Sequence, residues 1–151
     1  MNPELMTEKL QECLVKALSI CQENANPELS SEHMMAAFLN EPDIQELIRS
    51  FKTDVNRLIS INDSYLRRLP GSNSNENPTV NRYLAVSYNE ALNKSKQRKD
   101  SYISMFDMFI ATLFNQSPVC EELQKYCSFS RTDLEDKYSL ERGATMINNK
   151  G

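Results

Sequence analysis

The chain repeats itself, and a chain that repeats itself can fold in few ways. SEHMMAAFLNEP at residues 31–42 returns as MFDMFIATLFNQSP at residues 105–118, each running from a polar or Ser-flanked start through paired large apolar residues to an Asn and a Pro. A constant offset, the one that separates Leu10 from Leu84, sets Leu10, Leu14, Ala17, Leu18 and Cys21 against Leu84, Tyr88, Ala91, Leu92 and Ser95 with helical spacing. Further on, Pro42 meets Pro118, Leu47 meets Leu123, and Thr53-Asp54-Val55 meets Thr132-Asp133-Leu134 after a few extra residues. A match that survives small insertions marks duplicated structural units whose loops absorb the length changes. One such unit cannot bury its apolar face alone, so two are expected to close over a common core.

The 151 residues suit one domain, and a chain of this length hides roughly two-thirds of its extended surface on folding. Glycine is scarce, with three in the whole chain, while Leu, Met, Ala, Glu, Gln and Lys are plentiful; helix is favoured over sheet. The pattern predicts an all-α fold with helices near 3–24, 31–40, 43–51, 54–68, 78–98, 104–115, 118–127 and 132–142. Asn2-Pro3, Asn77-Pro78 and Ser117-Pro118 each place a capping side chain before a proline, whose missing N–H costs nothing at the first helical position. Thr132-Asp133-Leu134-Glu135 has capping-box spacing, Thr53 opens its counterpart, and Ser30 or Ser31 caps the helix that holds His33.

Domain organisation follows. Repeat one covers 1–70, a connection covers 71–77, repeat two covers 78–142, and 143–151 reads as the start of a linker. PGSNSNENP, Pro70 to Pro78, combines turn formers with no apolar residue and reads as exposed. In the first helix Met6, Leu10, Cys13, Leu14, Ala17, Leu18 and Cys21 form one apolar face; Val80, Leu84, Tyr88, Ala91 and Leu92 form its counterpart. Each large side chain buried between them contributes about 1.5–3 kcal/mol before entropy is counted.

Several functions find no support. A net charge of −4 gives no general attraction to nucleic acid or anionic lipid. The basic run KSKQRKD, Lys94 to Asp100, lacks interleaved aromatics and suits a helix C-terminus; Arg67-Arg68 reads the same way. No apolar run approaches the roughly 20 residues of a membrane span, and the N-terminus lacks signal-peptide order, so a cytoplasmic chain is expected. Cys13, Cys21, Cys120 and Cys127 form no CxxC pair and His33 stands far from them, which suits reduced, mostly buried thiols better than zinc. Phosphate-loop and GxSxG motifs are missing, so neither catalytic residues nor a bound nucleotide are expected in this segment. His33 beside Glu32 lacks a nucleophile and is expected to play a structural part in the first turn of its helix.

DSYISMFDMF, Asp100 to Phe109, is less easily placed. Tyr102, Ile103, Met105, Phe106, Met108 and Phe109 are too many large apolar groups for one face of a short helix. Either that helix is wedged between others and buried on most sides, or part of it lines an exposed apolar site.

The doubled unit, LSSEHMMAAFLN, Arg68-Leu69-Pro70 and Arg98-Lys99-Asp100-Ser101-Tyr102-Ile103-Ser104 closely resemble the N-terminal domain of Clp-family AAA+ chaperones. Within that family they resemble most the ClpB-type disaggregases and their eukaryotic cytosolic heat-shock relatives, and Leu140-Glu141-Arg142-Gly143 resembles the junction with the linker. The resemblance implies an eight-helix domain of two pseudo-twofold-related four-helix repeats. It also implies a hexameric parent whose absent ATPase modules bind ATP and magnesium. It further implies capture of unfolded or aggregated polypeptide and cooperation with a DnaK-type chaperone.

By the same resemblance, the family's substrate-contact threonine matches Thr7 and its aspartate before the aromatic-Ile-Ser run matches Asp100. A family glutamate is replaced by Phe106, and Asp107 stands where a histidine or apolar residue is usual, which shifts the site toward apolar grip. The expected site is a groove between the first and sixth helices edged by Thr7, Tyr88, Asp100, Tyr102 and Phe106, binding extended apolar peptide. ClpC-type and ClpA-type protease chaperones, whose N-domains serve adaptors and degrons, resemble this chain too. The ClpC-type paired glutamates hold phosphorylated arginine; Glu32 fits the first of them and Phe106 breaks the second. A self-associating helical scaffold is the reading from a different class; a capture domain alone should be monomeric.

Overall fold

The computed structural model describes residues 1–73 and 77–151. Among the described residues eight α-helices run in chain order: α1 (Glu8–Glu23), α2 (Ser31–Leu39), α3 (Pro42–Ser50), α4 (Val55–Leu66), α5 (Arg82–Gln97), α6 (Met105–Leu113), α7 (Pro118–Lys125) and α8 (Arg131–Arg142). The lengths of α1, α2 and α4 recur in α5, α6 and α8, and the repeated apolar positions carry the core. Leu10, Leu14, Ala17 and Cys21 are buried, as are Leu84, Tyr88, Ala91 and Ser95, while Leu18 and Leu92 are both partly covered. Phe38 of α2 meets Phe109 of α6 edge to face, with ring centroids 5.7 Å apart, so the two repeats share one interior.

Two pairings that the local sequence does not announce cross between the repeats. Glu28–Leu29 (β1) lies parallel to Thr79–Val80 (β2), and Met6 forms a parallel bridge with Ile103. The offset that relates Leu10 to Leu84 carries Leu29 onto Ile103 and Met6 onto Val80, so the two contacts are copies of one another about the pseudo-twofold axis. They account for two corrections to the expected helices. Instead of one helix over 3–24, a 3-10 turn at Pro3–Leu5 gives way to extended Met6 and Thr7, because Leu5 O and Thr7 N–H bond to Ile103 before α1 begins. Asn77-Pro78 does not start α5; Thr79 and Val80 are held in the strand pair, and Asn81 caps the helix through Tyr83 N–H at 3.0 Å. The strand pair is an addition to the all-α expectation. Part of the connection expected at 71–77, residues 74–76, lies outside the described residues.

The caps also shift one register. Asp54, not Thr53, accepts the Arg57 N–H, and Thr53 bonds Ser128 across the repeats instead. In α8 the capping box is Ser130 with Asp133, not Thr132 with Glu135. Aligning the caps Asp54 and Ser130 brings buried Leu58 opposite buried Leu134, which replaces the Thr53-Asp54-Val55 to Thr132-Asp133-Leu134 match. Ser117 caps α7 with Pro118 in its first turn, and Ser104 caps α6 through Asp107 N–H at 3.1 Å.

His33 sits at the third position of α2 and is fully buried. Its Nδ1 accepts the Ser30 N–H at 2.9 Å and its Nε2–H donates to Asn26 Oδ1 at 2.9 Å. Asn26 in turn donates to Pro70 O, tying the stretch after α4 to the loop before α2. Burial holds the imidazole down to about 4, so it is neutral, as both bonds require. All four cysteines are free thiols, Cys127 half-buried and the others buried; burial pushes Cys13, Cys120 and Cys127 up to about 12.

Candidate functional site

Helix α6 resolves the alternative posed by its excess of apolar residues. It packs against α1, α2, α5, α7 and α8, and Ile103, Met105, Met108, Phe109 and Ile110 are buried. Phe106 alone of the large residues in that helix's first two turns is only partly covered. It forms a wall shared by two adjoining clefts. One, of about 490 Å³, lies between the N-terminal ends of α1 and α6 and is lined by Thr7, Glu8, Ser104, Met105, Phe106 and Tyr138 among others. The second, of about 360 Å³, lies on the other side toward α3, with Leu47, Ser50 and Lys137.

The larger cleft has an apolar floor and a charged rim. Phe106 stacks on Tyr138 with centroids 5.3 Å apart and planes tilted by 31°. The Tyr138 hydroxyl shares a 2.8 Å hydrogen bond with Ser104 Oγ, and burial, only partly offset by that bond, raises its pKa above the usual phenol value. The guanidinium groups of Arg98 and Arg142 stand 5.5 and 5.8 Å from the same ring. Glu8, Lys9, Glu12 and Asp43 form the rim, and Lys9 ties it to buried Glu41 at 3.2 Å. Behind Phe106, Arg98 pairs with buried Asp107. This arrangement can hold an apolar side chain on the Phe106–Tyr138 floor while charged groups of either sign are met at the edge.

The sequence-predicted site residues divide. Thr7 lines the cleft, but its hydroxyl is used in capping α1, accepting the Leu10 N–H at 3.3 Å. Phe106 lines it too, while Tyr102 is not among the lining residues and stands half-buried at the extended stretch that leads into α6. Tyr88 and Asp100 are not among the residues that line the cleft. Tyr88 is buried away from the cleft, where its hydroxyl accepts the Asn2 N–H at 3.2 Å and supports the N-terminal turn. Asp100 has a fully enclosed side chain gripped by both Nη atoms of Arg142 and by the Ile147 N–H at 2.9 Å. Burial alone would raise its pKa, but the Arg142 and Ile147 hydrogen bonds outweigh burial and leave it below the ordinary carboxylate range. Sequence reasoning missed Tyr138, Ser104 and Arg142; their shared helical face and capping positions were visible, their convergence on α6 was not.

Among the described residues no three His, Cys, Asp or Glu side chains gather to hold a metal ion, and no helix is long and apolar enough to cross a membrane.

Solved structures share this double-repeat arrangement. The Hsp104 N-terminal domain from Candida albicans matches with a TM-score of 0.82 over 96% of this chain and 96% of its own, at 20% identity. The N-domain of ClpV from Vibrio cholerae matches with a TM-score of 0.75 over 91% of this chain and 84% of its own, at 18% identity. A ClpV N-domain in complex with a VipB peptide matches with a TM-score of 0.71 over 91% and 86%, at 17% identity. At such identities the likeness defines the class of fold: the two-repeat helical N-domain found on Clp ATPases. The sequence goes further, since residues 5–126 match the family model for the Clp repeat (R) N-terminal domain. The chain belongs to the Clp N-terminal domain family, and in Clp ATPases this domain is a non-catalytic module that binds substrates or adaptors.

Proposed function

We propose that this domain captures unfolded or aggregated polypeptide for an ATP-dependent disaggregase of the ClpB and Hsp104 kind. The observation that carries the reading is the Phe106–Tyr138 floor of the cleft, an apolar surface at the helix ends with no fixed polar partner demanded of its ligand. Such a surface suits weak, sequence-tolerant binding of extended chains, in which one aromatic anchor contributes most of the affinity. The parent assembles as a hexamer, supplies ATP and magnesium chemistry from modules outside this segment, and works with a DnaK-type chaperone. The ClpV–VipB peptide complex favours a second reading, in which the same cleft docks one particular partner segment, as an adaptor-binding or degron-binding N-domain would.

Phe106→Glu tests the first reading. The substitution places a carboxylate on the floor beside Tyr138 without filling the core. Binding of a permanently unfolded, reduced and alkylated protein, followed by fluorescence anisotropy, is expected to weaken at least tenfold while the circular dichroism spectrum is unchanged. Unaltered binding would refute the assignment of this cleft. Tight binding of one defined peptide, with indifference to unfolded chains, would favour the second reading.

A further inference from the structure

The segment after Gly143 follows the rim of the cleft instead of leaving the domain. Gly143 adopts φ +62°, which lets the chain turn sharply at the end of α8 at little steric cost. Arg142 then holds both partners of a latch: it grips Asp100 and donates through Nε to Thr145 O at 3.1 Å. Ser101 N–H and Tyr102 N–H both point to Ile147 O, at 2.8 and 3.3 Å, and Glu8 N–H donates to Lys150 O at 2.7 Å. Asp100 returns an acceptor to Ile147 N–H.

These contacts do not read side chains, and their donors were free to make them. Glu8 N–H belongs to the first turn of α1 and has no acceptor within that helix, while Ser101 and Tyr102 lie between α5 and α6. Three side chains of the segment also make contacts, the first being Asn148, whose Oδ1 accepts the Ser101 hydroxyl at 3.0 Å. Ile147 lines the cleft and is half-buried. The Lys150 ammonium stands 5.6 Å over the Tyr102 ring, on a rim where Glu8, Glu12 and Asp43 are acidic and Lys9 is paired with Glu12 and Glu41; a cation is favoured there by the ring face and by the remaining carboxylates.

We infer that Glu8, Asp100, Ser101 and Tyr102 form a cradle for the main chain of an extended segment that carries an apolar residue followed three positions later by lysine or arginine. Ala144–Lys150 is its resident ligand, which an incoming segment of that kind must displace. The inference rests on the capture reading above and adds to it the ligand's chemistry and a built-in competitor. A tether this short holds the resident segment at an effective concentration of about millimolar, so weak intrinsic affinity suffices to keep the cradle filled.

The test uses the full chain and a variant, Ile147→Asp with Lys150→Glu, whose tail no longer fits. The probe is a fluorescein-labelled peptide of sequence ATMINNKG, and the control is the same peptide with Asp for isoleucine and Glu for lysine. The variant is expected to bind the probe at least tenfold more tightly than the wild type and to leave the control unbound. The amide resonances of Glu8, Ser101 and Tyr102 should shift in the variant and return when the probe is added. Equal affinity of wild type and variant, or equal binding of the control, overturns the inference. If Phe106→Glu abolishes binding of the unfolded protein while the tail variant gains nothing for either ligand, the capture reading stands and the resident ligand is wrong. If the tail variant gains the probe while unfolded protein is indifferent to Phe106→Glu, the cradle stands and the capture reading is wrong.

Discussion

His33 couples the stability of this domain to pH. It is the sole histidine of the chain, and both ring nitrogens are engaged in a way that admits only the neutral form: Nδ1 accepts from Ser30 and Nε2–H donates to Asn26. Burial lowers it from 6.5 to about 4. The unfolded imidazole therefore takes up a proton, as pH falls below 6.5, that the folded one refuses until about 4, and protons favour the unfolded chain throughout that interval. The stabilisation is complete above the unfolded value and is lost as pH drops toward the folded one. At about 1.4 kcal/mol per pKa unit, the loss between pH 7 and pH 5 is about 2 kcal/mol. Isothermal urea denaturation at pH 7, 6 and 5 measures it directly. The control is His33→Gln, which keeps an acceptor for the Ser30 N–H in the manner of a capping box but cannot titrate. Glu32, raised by burial, acts in the opposite direction and is present in both proteins, so the difference between their slopes isolates His33. Equal slopes for wild type and His33→Gln would refute the argument.

Two further outcomes follow from buried charge and buried sulfur. Arg98→Ala removes the partner of Asp107, which is buried with Oδ2 already lacking a hydrogen-bond partner among the described residues; thermal or urea unfolding should show a loss of about 3 kcal/mol, whereas an effect under about 1 kcal/mol would mean that water reaches Asp107. With their thiols pushed up to about 12, Cys13, Cys120 and Cys127 should resist iodoacetamide at pH 8 in the native protein and react fully in urea, as read by mass spectrometry. Half-buried Cys127 should be the first to yield, and rapid native labelling of Cys13 would contradict the core packing described.

The parts of the fold that were legible in the sequence are those fixed by local chemistry. Leu10, Leu14, Ala17 and their counterparts in α5 were identifiable because helical spacing and burial share one period, and Ser117-Pro118 because a cap and a proline act within one turn. What was illegible depended on partners distant in sequence. Met6 breaks the first helix because of Ile103, and Val80 delays the fifth because of Leu29; neither dipeptide strand carries a signal of its own. Thr53 and Thr132 were misplaced as caps because Ser, Thr and Asp are interchangeable in that role, and only the burial of Leu58 and Leu134 fixes the register. The same holds at the site. Phe106 stood out as a large apolar residue in excess, but Asp100 could not be known to face inward without Arg142, which lies 42 residues away.

The paired bridges, Leu29 to Val80 and Met6 to Ile103, have a consequence for the lineage of the domain. Each half lends the other the same short edge in the same orientation, which is the geometry of an isologous contact between identical subunits. A free-standing half would thus meet in a second copy of itself the same short edge that its neighbour now supplies, and a gene fusion joining such a pair end to end would have kept both bridges.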